Sequence, residues 1–361
     1  MSAHSIRTRS LVAVAAITMA LAACAAPPAA PEPEPVKLTF ASWVFISDEQ
    51  KAFMDEVTAE SDGSVTFTPI ENWTEPDGVE KLGDEFAMAK AIATGDIDVG
   101  WSSTRSFPAL GIAGFRAIEA PFLIQNIAGT NDIVSGPIGE AALAAFDGSG
   151  LTGLSVYPGT LRFPLSAGSP LLEPSGWSGK RVLYYSPEAD GVQARTVIAL
   201  GGEPVNEGLH IIDDLKAGAY DAGFDSLGDV AGGGATPSGP FPTSNVIFWP
   251  TVLFYVMNTE RFESLTPGQR DILLAAAQHA ADAEIAAEDD PSIADSVCST
   301  TARFGTSTPD QLASLRDAVE PVYEWLEADA EEAPTLEALT AIAAAHPQAD
   351  SVAVPEGCSW G

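Results

Sequence analysis

The apolar positions of this chain switch between period two and helical spacing several times. Residues 36–41 (VKLTFA) read as a first strand, and apolar positions including Phe53 and Val57 predict a helix over 48–61 that stops at Ser61-Asp62-Gly63. Residues 64–69 alternate as a second strand. A helix over 80–94 follows and ends at Gly95, and 98–101 is a short buried strand. The pattern restarts in the middle of the chain. Strands are predicted at 151–157, 181–185 and 220–224, with helices at 190–200 and 210–217 between the last two. The β-branched and aromatic run at 246–257, broken only by Pro250, is too long for one ordinary strand and reads as a pair of hinge strands. Thr266-Pro267-Gly268-Gln269 has the form of a helix N-cap with Pro at the first helical position, opening a helix that continues to about 288. Further helices are predicted at 309–328 and 335–345.

Strands alternating with helices define an α/β class with a mainly parallel sheet. The segment from Gly95 to Trp101 (GDIDVGW) matches that from Gly218 to Phe224 (GAYDAGF) as Gly-x-x-Asp-x-Gly-aromatic, each after a helix. This repeat argues for two similar lobes that use the same turn. Ligands of open α/β sheets sit beyond the carboxyl ends of the strands. That rule points to Trp101-Ser102-Ser103 and Phe224-Asp225-Ser226.

The N-terminal segment changes the picture of where this fold resides. Arg7 and Arg9 precede a short apolar run from Leu11, which ends in Leu21-Ala22-Ala23-Cys24. The run suits a secretory signal better than a membrane span. Its end resembles a bacterial lipobox, so 1–23 reads as a signal peptide and Cys24 as the lipidated residue. Residues 24–35 then form a tether, with five prolines between Ala25 and Pro35. The expected location is extracytoplasmic, either lipid-anchored at the outer face of the cell membrane or periplasmic. Two cysteines remain, Cys298 and Cys358, and in an oxidising compartment they are expected to pair, with two free thiols as the alternative.

Fifty acids against seventeen bases leave a net charge of −33. That argues against nucleic acid as a partner, because phosphate binding needs clustered Lys and Arg. The four histidines (His4, His210, His279 and His346) show no metal-ligand spacing, and neither Cys-x-x-Cys nor Gly-x-Ser-x-Gly occurs. The glycines at 232–234 lack the Lys-Ser/Thr of a phosphate loop. No enzymatic activity, metal or cofactor is expected.

Four stretches carry a family resemblance. They are SDEQKAFMDEVTAESDGSVTFTPI; AIATGDIDVGWSST with IEAPFLIQN; GTLRFPLSAGSPLLEPSGWSGKRVLYYS through IALGGEPVNEGLHIIDDLKAGAYDAGF; and VMNTERFESLTPGQRDILLAAAQHA. In order and spacing the chain resembles the DctP-like solute-binding proteins of tripartite ATP-independent periplasmic (TRAP) transporters. The resemblance implies a two-lobed periplasmic-binding-protein-like fold with a long helix near its C-terminus. It also implies a small-molecule ligand held between the lobes and a TRAP permease as membrane partner. Applied to this chain, it puts lobe I at 36–150 plus about 225–262, lobe II at 151–224 plus about 263–300, and a C-terminal helical segment at 301–361.

The family usually grips an organic acid with an arginine in the strand matched here by Lys180-Arg181-Val182-Leu183. Leu183 stands at the arginine position, and Arg181 two residues earlier. A second family arginine is matched by Arg162, and Phe224-Asp225-Ser226 stands where Glu-Asn-Pro is frequent. The candidate ligand-binding residues are Trp43, Phe45, Trp73, Trp101, Arg162, Tyr184, Tyr185, Asp225 and Trp249. An organic acid or related polar compound is the ligand the resemblance implies. Leu183 and the acidic balance leave a neutral or cationic ligand, bound for sensing, as the alternative.

Overall fold

The computed structural model describes residues 34–75, 84–206, 211–287 and 290–361. The signal segment, Cys24 and most of the tether lie outside them, as do His210, Glu288 and the start of the helix expected from Glu80. In chain order the elements are β1 (Val36–Ala41), α1 (Asp48–Glu60), β2 (Val65–Ile70), α2 (Asp84–Thr94) and β3 (Val99–Ser103). Then come α3 (Ile127–Val134), α4 (Pro137–Ala144), β4 (Leu151–Ser166), β5 (Arg181–Leu183), α5 (Val192–Ala199) and β6 (Glu203–Val205). They are followed by α6 (Ile211–Ala217), β7 (Ala222–Asp225), α7 (Leu227–Gly233), β8 (Phe241–Pro242) and β9 (Trp249–Asn258). The chain ends in helices: α8 (Thr259–Glu263), α9 (Pro267–Ala286), α10 (Ile293–Ser299), α11 (Pro309–Ala318), α12 (Glu320–Ala328) and α13 (Ala333–Ala345).

The strands lie in the order β2-β1-β3-β9-β4-β7-β5-β6, with β8 also on β4. Each flank is parallel: β1 pairs with β2 and β3, and β5 pairs with β6 and β7. The centre is antiparallel, through β3–β9, β9–β4 and β4–β7. The mainly parallel sheet expected from the sequence is therefore two parallel triplets joined by an antiparallel pair. That pair also replaces the expected hinge strands. Residues 246–257 do not supply two strands; β9 crosses once, and its partner is the sixteen-residue β4. The strand predicted at 151–157 extends through Pro158 and Gly159 to Ser166. Register shifts between Gly153 and Ser155, and between Pro158 and Leu161, let it continue.

The repeat has a structural reason in both halves. Gly95 and Gly218 follow α2 and α6 at φ 85° and 71°, a left-handed conformation that glycine adopts without a Cβ penalty. The Asp of each motif then reaches the neighbouring strand. Asp98 accepts from the Thr39 backbone N–H at 2.7 Å, and Asp221 accepts from that of Arg181 at 2.9 Å. The second glycine allows close approach: a Cβ on Gly100 would lie 2.8 Å from Ile92 and 2.9 Å from the Ala41 carbonyl, and one on Gly223 would lie 3.0 Å from Ile211.

Packing does not follow the simple division of the chain. Leu38, Phe40, Phe53 and Val57 form one core with Leu273 and Ala277 of α9. The long helix thus packs with β1 and α1, whereas the division expected above puts 263–300 with the second lobe. Ala294 and Val297 of α10 do pack there, with Leu183, Ile211 and Phe304. So does α7 through Leu227 and Val230, although 225–262 had been placed with the first lobe. A third core runs behind the sheet from Phe107 and Phe254 to Trp177 and Phe224, and α11–α13 cover it with Leu315, Leu326 and Leu339. The helix expected over 309–328 breaks at Val319, because Pro321 occupies the first turn of α12. Cys298 and Cys358 are joined, with Cα atoms 5.6 Å apart, and tie the C-terminal segment to α10.

Candidate functional site

Between the two halves of the sheet lies a cavity of about 730 Å³, within the usual range for small-molecule sites. The β4–β9 pair forms its floor, and both halves supply its walls. Trp43 and Phe45, on the loop after β1, sit on one side with Trp101 at the end of β3. Trp43 and Trp101 pack at 5.9 Å between ring centroids. Trp101 Nε1 donates to Ser42 Oγ at 2.9 Å, which fixes its ring. Phe45 is 69% exposed and stands at the rim. Arg162 of β4, Tyr185 after β5 and Asp225 at the end of β7 face it from the second half.

Six of the nine candidate residues therefore meet at one cavity, and three do not. Trp249 is buried against Phe224 and Phe248. Tyr184 is buried, and its backbone N–H pairs with Val205. Its neighbour Tyr185, just beyond β5, lines the cavity instead. Trp73 is half-buried at the edge of the central core, its backbone N–H donated to the Ser42 carbonyl. Neither Leu183, at the position matched to the family arginine, nor Arg181 reaches the cavity. Leu183 is fully buried among Ile211, Leu215 and Phe304. Arg181 is exposed, bonds to the Ala219 carbonyl at 2.9 Å and lies over the Tyr220 ring.

Sequence reasoning missed several residues that do. Tyr157 and Tyr255 face each other across β4 and β9, stacked at 5.0 Å. Burial raises both hydroxyls, and the charge of Glu284 raises them further. Glu284 near the end of α9 and Glu49 at the start of α1 also line the cavity. Burial, then the charge of Glu49, raises the Glu284 carboxyl above the ordinary range. Arg105 is the other omission. It lies just beyond Ser103, where the strand-end rule would have found it.

Among the described residues, both cations that line the cavity are already engaged. Arg105 Nε donates to Glu85 Oε2 at 2.9 Å, and its Nη2 reaches the same oxygen. Burial opposes ionisation of Glu85, but the Arg105 charge and bonds from Ser103 outweigh it and hold the carboxyl below its usual value. The Arg105 guanidinium lies 5.1 Å from the centre of the Tyr185 ring, a contact across the two halves. Gln193 donates to Glu119 at 2.9 Å beside it, a second such contact. Arg162 Nε donates to Thr251 Oγ1 at 2.9 Å. Its Nη1 pairs with Asp225 and lies 3.6 Å from Asp229. Burial pushes Asp225 up to about 8; Arg162 opposes this and Asp229 adds to it. One cation thus faces two carboxylates, and burial favours the protonated form of Asp225.

The profile of bacterial extracellular solute-binding proteins, family 7 (DctP), matches residues 45–329, and the chain belongs to that family. Its fold is similar to that of the sugar acid binding protein DctPAm from Advenella mimigardefordensis in complex with galactonate. That likeness has a TM-score of 0.70 at 17% identity, over 87% of this chain and 99% of the other. It is also similar to a TRAP periplasmic solute-binding protein from Ralstonia eutropha with bound (S)-2-acetolactate. There the TM-score is 0.73 at 18% identity, over 86% and 99%. Among curated proteins, the uncharacterized protein y4mM of Sinorhizobium fredii is 28% identical over 105 residues. The match covers 29% of this chain and 19% of that protein, so the chain spans about a fifth of that relative's length.

Proposed function

We propose that this chain captures a small organic solute between its two lobes and delivers it to a TRAP-type permease, with no catalytic role. The observation that carries this is the cavity, which takes side chains from both halves of the sheet and has the crossing pair β4–β9 as its floor. A solute touching both walls favours their closed arrangement, and closure would present a distinct surface to a membrane partner. The ligand-binding residues of this reading are Trp43, Phe45, Trp101, Arg162, Tyr185 and Asp225. Cleavage before Cys24, with a lipid on that residue and the Pro-rich stretch as tether, would hold the protein at the outer face of the cell membrane. Among the described residues no helix is long and apolar enough to cross a membrane.

The test is native mass spectrometry of freshly purified protein, followed by differential scanning fluorimetry against organic acids, amines, sugars and aromatic compounds. A bound small molecule, or a thermal shift of several degrees with one compound class, is expected. Ligand-free protein that no compound stabilises would argue against the reading. Organic acids are the ligands of the two structures compared above. The neutral or cationic alternative is favoured by one observation: Arg162 is already paired with Asp225.

A further inference from the structure

The charges lining the cavity are unequal. Among the described residues Arg105 and Arg162 are its cations, against Glu49, Asp213, Asp225, Asp229 and Glu284. Arg105 is neutralised by Glu85 beneath it, and Arg162 by Asp225 and Asp229. An entering carboxylate would compete with these carboxylates, and displacing the buried Glu85 or Asp225 would leave it unpaired, which is costly. It would also meet Glu284 and Glu49. Among the described residues neither of those side chains has an ion pair, and the two repel each other. Glu284 is half-buried on α9, Glu49 is exposed on α1, and the hydroxyls of Tyr157 and Tyr255 feel both charges.

The surrounding walls are aromatic. Trp43 and Trp101 pack together, Tyr157 and Tyr255 stack, and Phe45 stands at the rim. Aromatic faces attract a cation electrostatically, and they do so most where water is excluded. Unpaired carboxylates beside tyrosine and tryptophan rings are the complement of an ammonium group on an apolar body. They are the wrong complement for a second anion.

Resting on the reading of solute capture, we propose that the ligand is an organic cation, an amine or quaternary ammonium compound. Its charged nitrogen sits between Glu284 and Glu49, against the rings of Tyr157 and Tyr255. Its apolar part extends along Trp43 and Trp101. The Arg162–Asp225–Asp229 trio is, in this arrangement, an internal ion pair that polar groups of the ligand touch without breaking it.

Isothermal titration of the purified protein tests this with butylammonium, phenethylammonium, choline and agmatine against galactonate, glucuronate and succinate. At least one cation is expected to bind. Its affinity should fall with rising salt, as screened attraction requires, and fall about tenfold or more in Glu284→Gln. Glu49→Gln is the second variant, because Glu49 is exposed and its replacement leaves the fold intact. Loss of affinity in either variant, with an unchanged melting temperature, supports the placement of the nitrogen. Binding of the carboxylates alone, or an anion released from the purified protein, overturns the cation assignment and leaves solute capture standing. Failure of every compound, in protein free of co-purified ligand, overturns both. Cation binding that neither variant weakens overturns the proposed placement.

Discussion

Asp225 shows how a single residue can change the meaning of a site. As a lone carboxylate at a strand end it reads as a ligand group. In the structure it is paired with Arg162 and shares its surroundings with Asp229. Burial raises its carboxyl to about 8, well above the unfolded value. A raised acid stabilises the fold fully only below the unfolded value near 3.8, and that contribution is lost as the pH climbs through the folded value. Stability should therefore decline from about pH 3.8 to about pH 8 and level off above the folded value. Asp225→Asn, which cannot lose a proton, should flatten that decline. Thermal melts of both proteins across this range give the answer; parallel curves would show that Asp225 is ionised throughout.

At the scale of elements, the two Gly-x-x-Asp-x-Gly turns are the clearest case of a sequence pattern with a structural cause. Each glycine ends a helix, and each Asp accepts a backbone N–H from the neighbouring strand. Asp221→Ala removes that acceptor from the Arg181 N–H, which water can then reach, and should cost about 0.5–1.5 kcal/mol in chemical denaturation. Asp98→Ala should cost more. Asp98 also accepts from the Thr39 hydroxyl at 2.9 Å and pairs with Arg261 at 3.2 Å. Equal effects would mean that these additional bonds contribute nothing. Such turns were legible because every group they use is near in sequence or repeats. β4 was not legible beyond 157. Its Pro158 and Gly159 look like a turn, and only pairing with β9 and two register shifts carry the strand through them.

Over the whole molecule, long-range ties decide how the halves are held. The C-terminal segment passes Gln125 and Ser244 and then returns to α10 through the Cys298–Cys358 bond. That bond closes a sequence separation of 60 residues. Replacing both cysteines by alanine should lower stability by about 2–4 kcal/mol, chiefly by freeing the unfolded chain. Urea unfolding of the double variant against the oxidised parent measures this. Equal midpoints would mean that the backbone hydrogen bonds of Phe304 to residues 358 and 360 hold the segment by themselves. The central core adds to the tie, since α11–α13 cover residues from both halves.

The sequence by itself determined the class: an α/β chain with repeated lobes, a solute-binding resemblance and a cavity at the strand ends. Periodicity and turn chemistry are local, so β1, α1 and the capped start of α9 could be read from neighbouring residues. Of the six cavity residues, Trp101 and Asp225 followed from the strand-end rule and Arg162 from the family resemblance. Tertiary structure alone decided which charges are spent and which are available. Arg162 and Asp225 are 63 positions apart, and Arg105 and Glu85 are 20 apart. Ion pairing depends on distance in space and on exclusion of water, and neither is written in the spacing of residues along a chain. For that reason Trp249 and Tyr184 could be mistaken for cavity residues. For the same reason, Glu284 and Tyr255, which carry the proposed ligand chemistry, came to light only once the chain was folded.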